Sequence, residues 1–430
     1  MIRYNFLALL FGDPIYIGLL VVPVTIFALL AWRGVLGLSA ALVFPLYIPV
    51  LISASTATIL LSAQDCSIED YIYVVTICIL TIFFVGRAIK NLLLPKIRII
   101  FESFSERKGT ILLVVASILS IAQSISVIIS SASLNSSSRI AYLYLDSGQR
   151  LLAPIANILG SVVYGLIAYF IFRGRWGRAA LGYLILLFAT IAQQSKGASF
   201  VALLSILFLV KGLGIDPLNH FLSGIPIKQK KSLTFKLILF FAATLIFFGG
   251  FMLFLLFRGL DLNMILDRIF QNADSIFMYF PDSSSLSERI CQDLGLIAPL
   301  HRGIGALLGN ELARDPTTVF GIALNQTIDP LSAALLEGPN AQLPSWSHCY
   351  YGPYLGIIAC ALLWFIFYVL CKLNISLGKN SSFEFAWLFV LLDASTFFQE
   401  VSFLTSVIAQ LILIILAYMM SSLIARFARA

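Results

Sequence analysis

The apolar positions of this chain run in long unbroken blocks, and its polar positions collect into short connectors and one long stretch. Blocks without alternation at period two read as helices and not barrel strands, because in lipid the backbone must satisfy its own hydrogen bonds within the segment or around a closed sheet. Crossing a hydrocarbon core ~30 Å thick takes about 20 residues. The blocks near 14–32, 35–62, 70–87, 110–131, 152–172, 179–193, 197–213, 235–257, 351–371, 383–397 and 403–424 meet or approach that length, about eleven helices in all. Pro45 and Pro49 predict a tilt or kink in the second. The sixth and seventh are short and joined only by Gln194, Ser195 and Lys196, which predicts a tight hairpin. The pattern divides the chain into helices over 1–257, a semi-polar segment over 258–350, and three further helices over 351–430.

Composition agrees with that reading. Of 430 residues, 60% are hydrophobic and 11% charged, and the mean hydropathy is +0.97, far from the soluble range. The expected fold class is all-α, a polytopic transmembrane helical bundle with a large folded outward-facing loop. A net charge of +7 could in isolation suggest nucleic acid, but the excess sits in connectors between helices. Arg87, Lys90, Lys96, Arg98, Arg107 and Lys108, then RGRWGR (173–178), then Lys228, Lys230, Lys231 and Lys236 all fall on one side if the helices alternate. The positive-inside rule makes that side the cytoplasm, so 132–150, Lys196 and 258–350 face outward. No GxxxxGK[ST] motif is present, which argues against an ATP-driven transporter. The cysteines form no CxxC pair, and no cofactor or metal is called for. Cys66, Cys291 and Cys349 lie in polar segments and leave one disulfide open.

The outward segment carries Arg258, Arg268, Arg289, Arg302 and Arg314, and between Arg258 and Tyr350 there is no lysine. A guanidinium grips phosphate with two parallel donors where an ammonium is a point charge, so an arginine-only segment suggests a phosphate-bearing substrate. Its carboxylates outnumber its arginines, among them Asp261, Asp267, Asp274, Asp282, Glu288, Asp293, Glu311, Asp315, Asp329 and Glu337. Each arginine is therefore open to two readings, an internal ion pair or a contact to substrate. Apolar runs at Met264–Leu266 and Ile304–Leu308, with turn marks at Pro281, Pro316 and Pro339, predict short helices lying on the membrane. Arg139, Arg150 and Lys196 bring further cations to the same side from separate loops, and charges at the rim of a bundle are candidates for function. His348, in SWSHCYYGPYLGI (345–357) just before the ninth helix, titrates in the range useful to a general base, and an ordinary interfacial histidine is its other reading.

These stretches carry a resemblance. The arginine-bearing outward loop before the last three helices, QQSKGASF (193–200), SSSRIAY (136–142) and GPNAQLPSWSHCYYGPYLGI (338–357) resemble O-antigen polymerases of the Wzy type, and over almost the whole chain the plan is similar. The same motifs are similar to those of O-antigen ligases. The resemblance implies a GT-C-like bundle in the bacterial inner membrane, active at its periplasmic face on undecaprenyl-diphosphate-linked oligosaccharide. Its partners would be that lipid-linked substrate, membrane lipid and, optionally, a chain-length regulator, and not nucleic acid. Two departures stand out. Lys196 occupies a hairpin position often held by arginine, and the ligase-type His-Asn pair reads His348-Cys349, which favours the polymerase.

On that reading Arg139, Lys196, Arg289 and Arg302 would contact the diphosphate, with Arg258 and Arg268 in reserve. His348 would be the base, with Glu311 or Glu337 as its rival. The alternatives are a ligase transferring glycan to lipid A-core and, from another class, a flippase or secondary transporter using Asp393 and Glu400 as proton sites.

Overall fold

The computed structural model describes residues 44–92, 94–134, 162–192, 198–217, 274–291, 320–328 and 342–377, with Gly18, Gly160, Asn219, His220, Pro330, Leu331 and Phe398. Among the described residues the chain is 91% helical and contains no strand, so the class is all-α. The helices are α1 (Phe44–Ser62), α2 (Ile68–Leu92), α3 (Leu94–Ser103), α4 (Glu106–Leu134), α5 (Val162–Phe172), α6 (Trp176–Ala192) and α7 (Ala198–Gly212). Among the described residues, the short helices α8 (Asp274–Tyr279), α9 (Ser283–Cys291) and α10 (Phe320–Ile328) precede the long α11 (Leu343–Leu377). Three stretches among the described residues are long and apolar enough to cross a membrane: Ile68–Arg87, Glu106–Ile129 and Leu343–Val369. The expected spans at 14–32, 235–257, 383–397 and 403–424 lie outside the described residues, apart from Gly18.

The distribution of side chains suits a body surrounded by lipid. On α4 the exposed face carries Ile111, Val114, Val115, Ile118, Ile125 and Ile129, while Ala116, Ser117, Ser120 and Ser124 are buried. Small and hydroxyl residues at the helix contacts with branched apolar residues outside invert the water-soluble arrangement and let backbones approach closely. Without water, the hydroxyls bond back to their own helix: Thr56 to Ile52 O at 2.9 Å, Thr110 to Glu106 O at 2.9 Å and Ser124 to Ser120 O at 2.7 Å.

The helix α1 is central, packing against α2 on one side and α7 on another, while α4 packs on α6 and α2 runs along α11. Two buried side chains fix that last contact, with Trp364 Nε1 donating to Thr81 Oγ1 at 2.8 Å. The turn after α1 closes with Gln64 in the left-handed region (φ 61°) and Asp65 N bonded back to Leu60 O at 2.9 Å, a capping geometry usually given to glycine.

Two sequence expectations change. The stretch from Arg87 to Lys108, expected as a basic loop, is largely helical: α2 continues to Leu92 and α3 holds Lys96 and Arg98. The helix expected at 351–371 begins at Leu343, so His348 lies inside α11 and the helix crosses the expected boundary at 350/351. The reason is a break. Gly352 adopts φ 71°, ψ −180°, a conformation open essentially to glycine alone, and Pro353 restarts the helix beyond it. The Gly-Pro pair marks the join between two helical pieces of α11.

Two of the basic connectors, 87–108 and 173–178, meet at one end and hold structure there, while Lys228, Lys230, Lys231 and Lys236 lie outside the described residues. Arg175 Nε reaches Glu106 Oε1 at 2.9 Å, Arg178 pairs with the same carboxylate, and Arg173 donates to Glu102 O at 3.0 Å. Tyr169 donates to Phe104 O at 2.8 Å, and His220 packs against Gly174 and Trp176. Arginines read from the sequence as topology signals thus also tie α5 and α6 to the turn between α3 and α4.

Candidate functional site

The opposite end of α2 holds the candidate site. Ser67 caps the helix, its Oγ accepting from Asp70 N at 3.0 Å, and an acidic residue in the first turn is favoured by the helix dipole. Helical spacing sets Asp70 on the stripe that continues through Tyr73, Val74, Ile77, Cys78, Thr81 and Val85, all buried, while Ile68, Ile72 and Ile79 face outward. The carboxylate is thereby directed at the first piece of α11. His348 Nε2 lies 3.4 Å from Asp70 Oδ1, and the side chains are only 11% and 14% exposed. Ser283, the first residue of α9, donates to Asp70 Oδ2 at 3.2 Å.

The other ring nitrogen of His348 is also engaged, with Nδ1 at 2.9 Å from Tyr279 Oη. Burial, and after it the Asp70 carboxylate, push the Tyr279 phenol above its ordinary pKa, so it remains an O–H donor. Three aromatic rings enclose the imidazole: Tyr73 edge-on at 4.9 Å, Phe280 at 5.5 Å and Tyr279 at 5.6 Å between centroids. The result is a line of groups able to pass protons, Asp70, His348 and Tyr279, inside an aromatic collar.

The collar is anchored from behind. Tyr73 Oη and Ser347 Oγ share a hydrogen bond of 2.7 Å, which ties α2 to α11 one residue from His348. Gly356 permits that approach: a Cβ there would collide with Tyr73 Oη and lie 2.9 Å from Ser347 O. Ser275 of α8 bonds Ser345 at 2.7 Å and accepts from Gln342 N at 3.3 Å. The buried side-chain amide of Gln342 has no hydrogen-bond partner among the described residues. Cys349 is disulfide-bonded, while Cys66, Cys78 and Cys360 are free thiols. Of the trio open from sequence, Cys66 is thus not in the bond. Its thiol is pushed up to about 11 by burial, then by Asp70 and Asp65, and is no nucleophile at neutral pH. Among the described residues no three His, Cys, Asp or Glu side chains gather to hold a metal ion.

Of the residues singled out from sequence, His348 is in this site and Arg289 is exposed on α9, which packs against α11. Arg139, Lys196, Arg258, Arg268, Arg302, Glu311 and Glu337 lie outside the described residues, as do Asp393 and Glu400. Sequence reasoning missed Asp70, Tyr73, Tyr279 and Ser283. For Asp70 a signal existed: Ser67-Ile68-Glu69-Asp70 is a helix-start pattern, and Asp70 is in register with the face of α2 that the helix buries. For Tyr279 there was none. Comparison of the chain with protein-family models, with curated proteins and with solved structures gave no match.

Proposed function

We propose that the chain is a membrane glycosyltransferase that polymerises a surface polysaccharide, moving the growing glycan from undecaprenyl diphosphate onto a hydroxyl of the next lipid-linked repeat unit. One observation carries the reading: a largely enclosed Asp70–His348–Tyr279 line at the end of a lipid-solvated helical bundle. A polyprenyl-linked substrate keeps its tail in the bilayer and presents diphosphate and sugar at the level of the helix ends, where that line stands. Deprotonating a sugar hydroxyl needs an acceptor in a partly dry setting, and the aromatic collar supplies one.

Arg289, exposed on α9, is the described candidate for contact with the leaving diphosphate. Arg139, Lys196 and Arg302 are its proposed companions, with Arg258 and Arg268 in reserve, and Glu311 and Glu337 remain rival bases. Cations stabilise the negative charge growing on the diphosphate, an interaction stronger in the transition state than in the ground state. In this proposal the bundle is GT-C-like, stands in the inner membrane, and turns the His348 end to the periplasm, opposite the basic end.

The test is a deletion strain complemented with the wild-type gene or with the double variant Asp70→Ala/His348→Ala, read on a lipopolysaccharide gel. Wild type should restore a ladder, and the variant should leave core plus one repeat at normal membrane abundance. Bare core would assign a ligase, and an unchanged ladder would end the reading. The Asp70–His348 pair also favours a second function, a proton-coupled transporter, because a carboxylate beside an imidazole between spans can carry a proton. Elongation of extracted lipid-linked repeats by purified protein without an ion gradient would dismiss it.

A further inference from the structure

We propose that Asp70, and not His348, is the group that takes the proton from the acceptor hydroxyl, with His348 as its positioning residue. The inference rests on the glycosyl-transfer reading and assigns the roles within its site. Acceptor capacity decides between the two. A neutral imidazole has a single acceptor nitrogen. Here Nε2 lies 3.4 Å from Asp70 Oδ1 and Nδ1 lies 2.9 Å from the Tyr279 hydroxyl; a carboxylate can only accept, so the nitrogen facing it carries the N–H and Nδ1 is left to take the phenol proton. His348 therefore has no lone pair left for a substrate.

A carboxylate has about four acceptor positions. Asp70 uses one on Oδ1 for His348 and one on Oδ2 for Ser283, so both oxygens keep a position free. The third member, Tyr279, is fully buried and holds its proton. Asp70 is thus the member of the line that retains room to accept, and it stands in the first turn of α2 at the end of the bundle.

The step balances simply. The acceptor oxygen forms a bond to the anomeric carbon of the donor glycan as the bond from that carbon to the diphosphate oxygen breaks. The bonding pair leaves with the polyprenyl diphosphate, and the hydroxyl proton passes to Asp70. His348 donates from Nε2 to the carboxylate throughout and fixes its orientation, as Tyr279 fixes the tautomer of His348.

The experiment uses the purified full-length chain in lipid vesicles, with the undecaprenyl-diphosphate-linked repeat extracted from a strain lacking this gene. Asp70→Asn keeps the shape and should lower kcat by about 100-fold with little change in KM, the usual scale of a lost general base. His348→Gln can still donate to the carboxylate and should cost only about 10-fold. A kcat for Asp70→Asn within a few-fold of wild type, or a larger loss in His348→Gln than in Asp70→Asn, overturns the assignment. Wild-type protein that does not elongate overturns the underlying reading instead. Should Asp70→Asn fail to fold, the ring-nitrogen NMR of 15N-histidine wild-type protein decides, with the His348 signals identified by their loss in His348→Gln. Protonated Nε2 with bare Nδ1 supports Asp70 as the base and His348 as its positioning residue, and the opposite tautomer refutes that division.

Discussion

The two ends of α2 lie roughly 25 Å apart along its axis, at 1.5 Å per residue from Asp70 to Arg87, and they use charge in opposite ways. At the Arg87 end charges are numerous and at least partly exposed, and several are paired, Arg98 with Glu102 and Arg175 and Arg178 with Glu106. Such pairs contribute little to stability individually. At the Asp70 end the exposed carboxylates Asp65 and Glu69 lie outside, and one carboxylate and one imidazole are largely enclosed among aromatic rings. Isolated charge held in place by packing is expensive, and that expense identifies the end where chemistry is to be sought.

The contrast can be attacked from both ends. After the loss of Asp70 itself, the largest effect is expected for His348→Ala, which removes the ring bridging Asp70 and Tyr279: elongation should fall about 10- to 100-fold at unchanged membrane abundance, read as shortened ladders on gels. Next is Gly352→Ala, which imposes a Cβ on a φ/ψ region open essentially to glycine; it should cost about 1–3 kcal/mol, read as a lower unfolding temperature in detergent. Gly356→Ala drives a methyl into Tyr73 Oη and should cost a similar or smaller amount, about 1–2 kcal/mol, and also depress elongation by displacing the Tyr73–Ser347 tie. Thr81→Val leaves Trp364 Nε1 without its acceptor and should cost about 1 kcal/mol with elongation intact, because it lies below the site. The smallest effect is expected at the basic end. Arg175→Gln should leave elongation unchanged within error, and a loss comparable to that of His348→Ala would break the contrast.

Much of this was legible in the chain and some was not, for physical reasons. The helical class and the long apolar helices α2, α4 and α11 follow from local hydropathy, which a single sequence displays. The start of α11 does not, because Gly352-Pro353 looks the same whether it opens a helix or joins two. The site was half visible. His348 announced itself by residue type, whereas its partners Asp70 and Tyr279 reach it from distant segments and only folding brings them together. The predicted ring of cations rests mostly on residues outside those described, with Arg289 the one that can be placed.

The hydroxyl of Tyr73 has a mechanical consequence. It couples the start of α2 to the short piece of α11, and Ser275 couples α8 to that same piece, so Asp70, His348 and Tyr279 are carried on one block. Past Pro281 the chain meets that block through the hydroxyl of Ser283 and the apolar side of α9, and it then leads along α9 to Arg289. Because Ser283 bonds the Asp70 carboxylate and Ser287 bears on the Tyr279 phenol, α9 is joined to the trio, and any shift of α9 would move Arg289 and the proton-handling groups together.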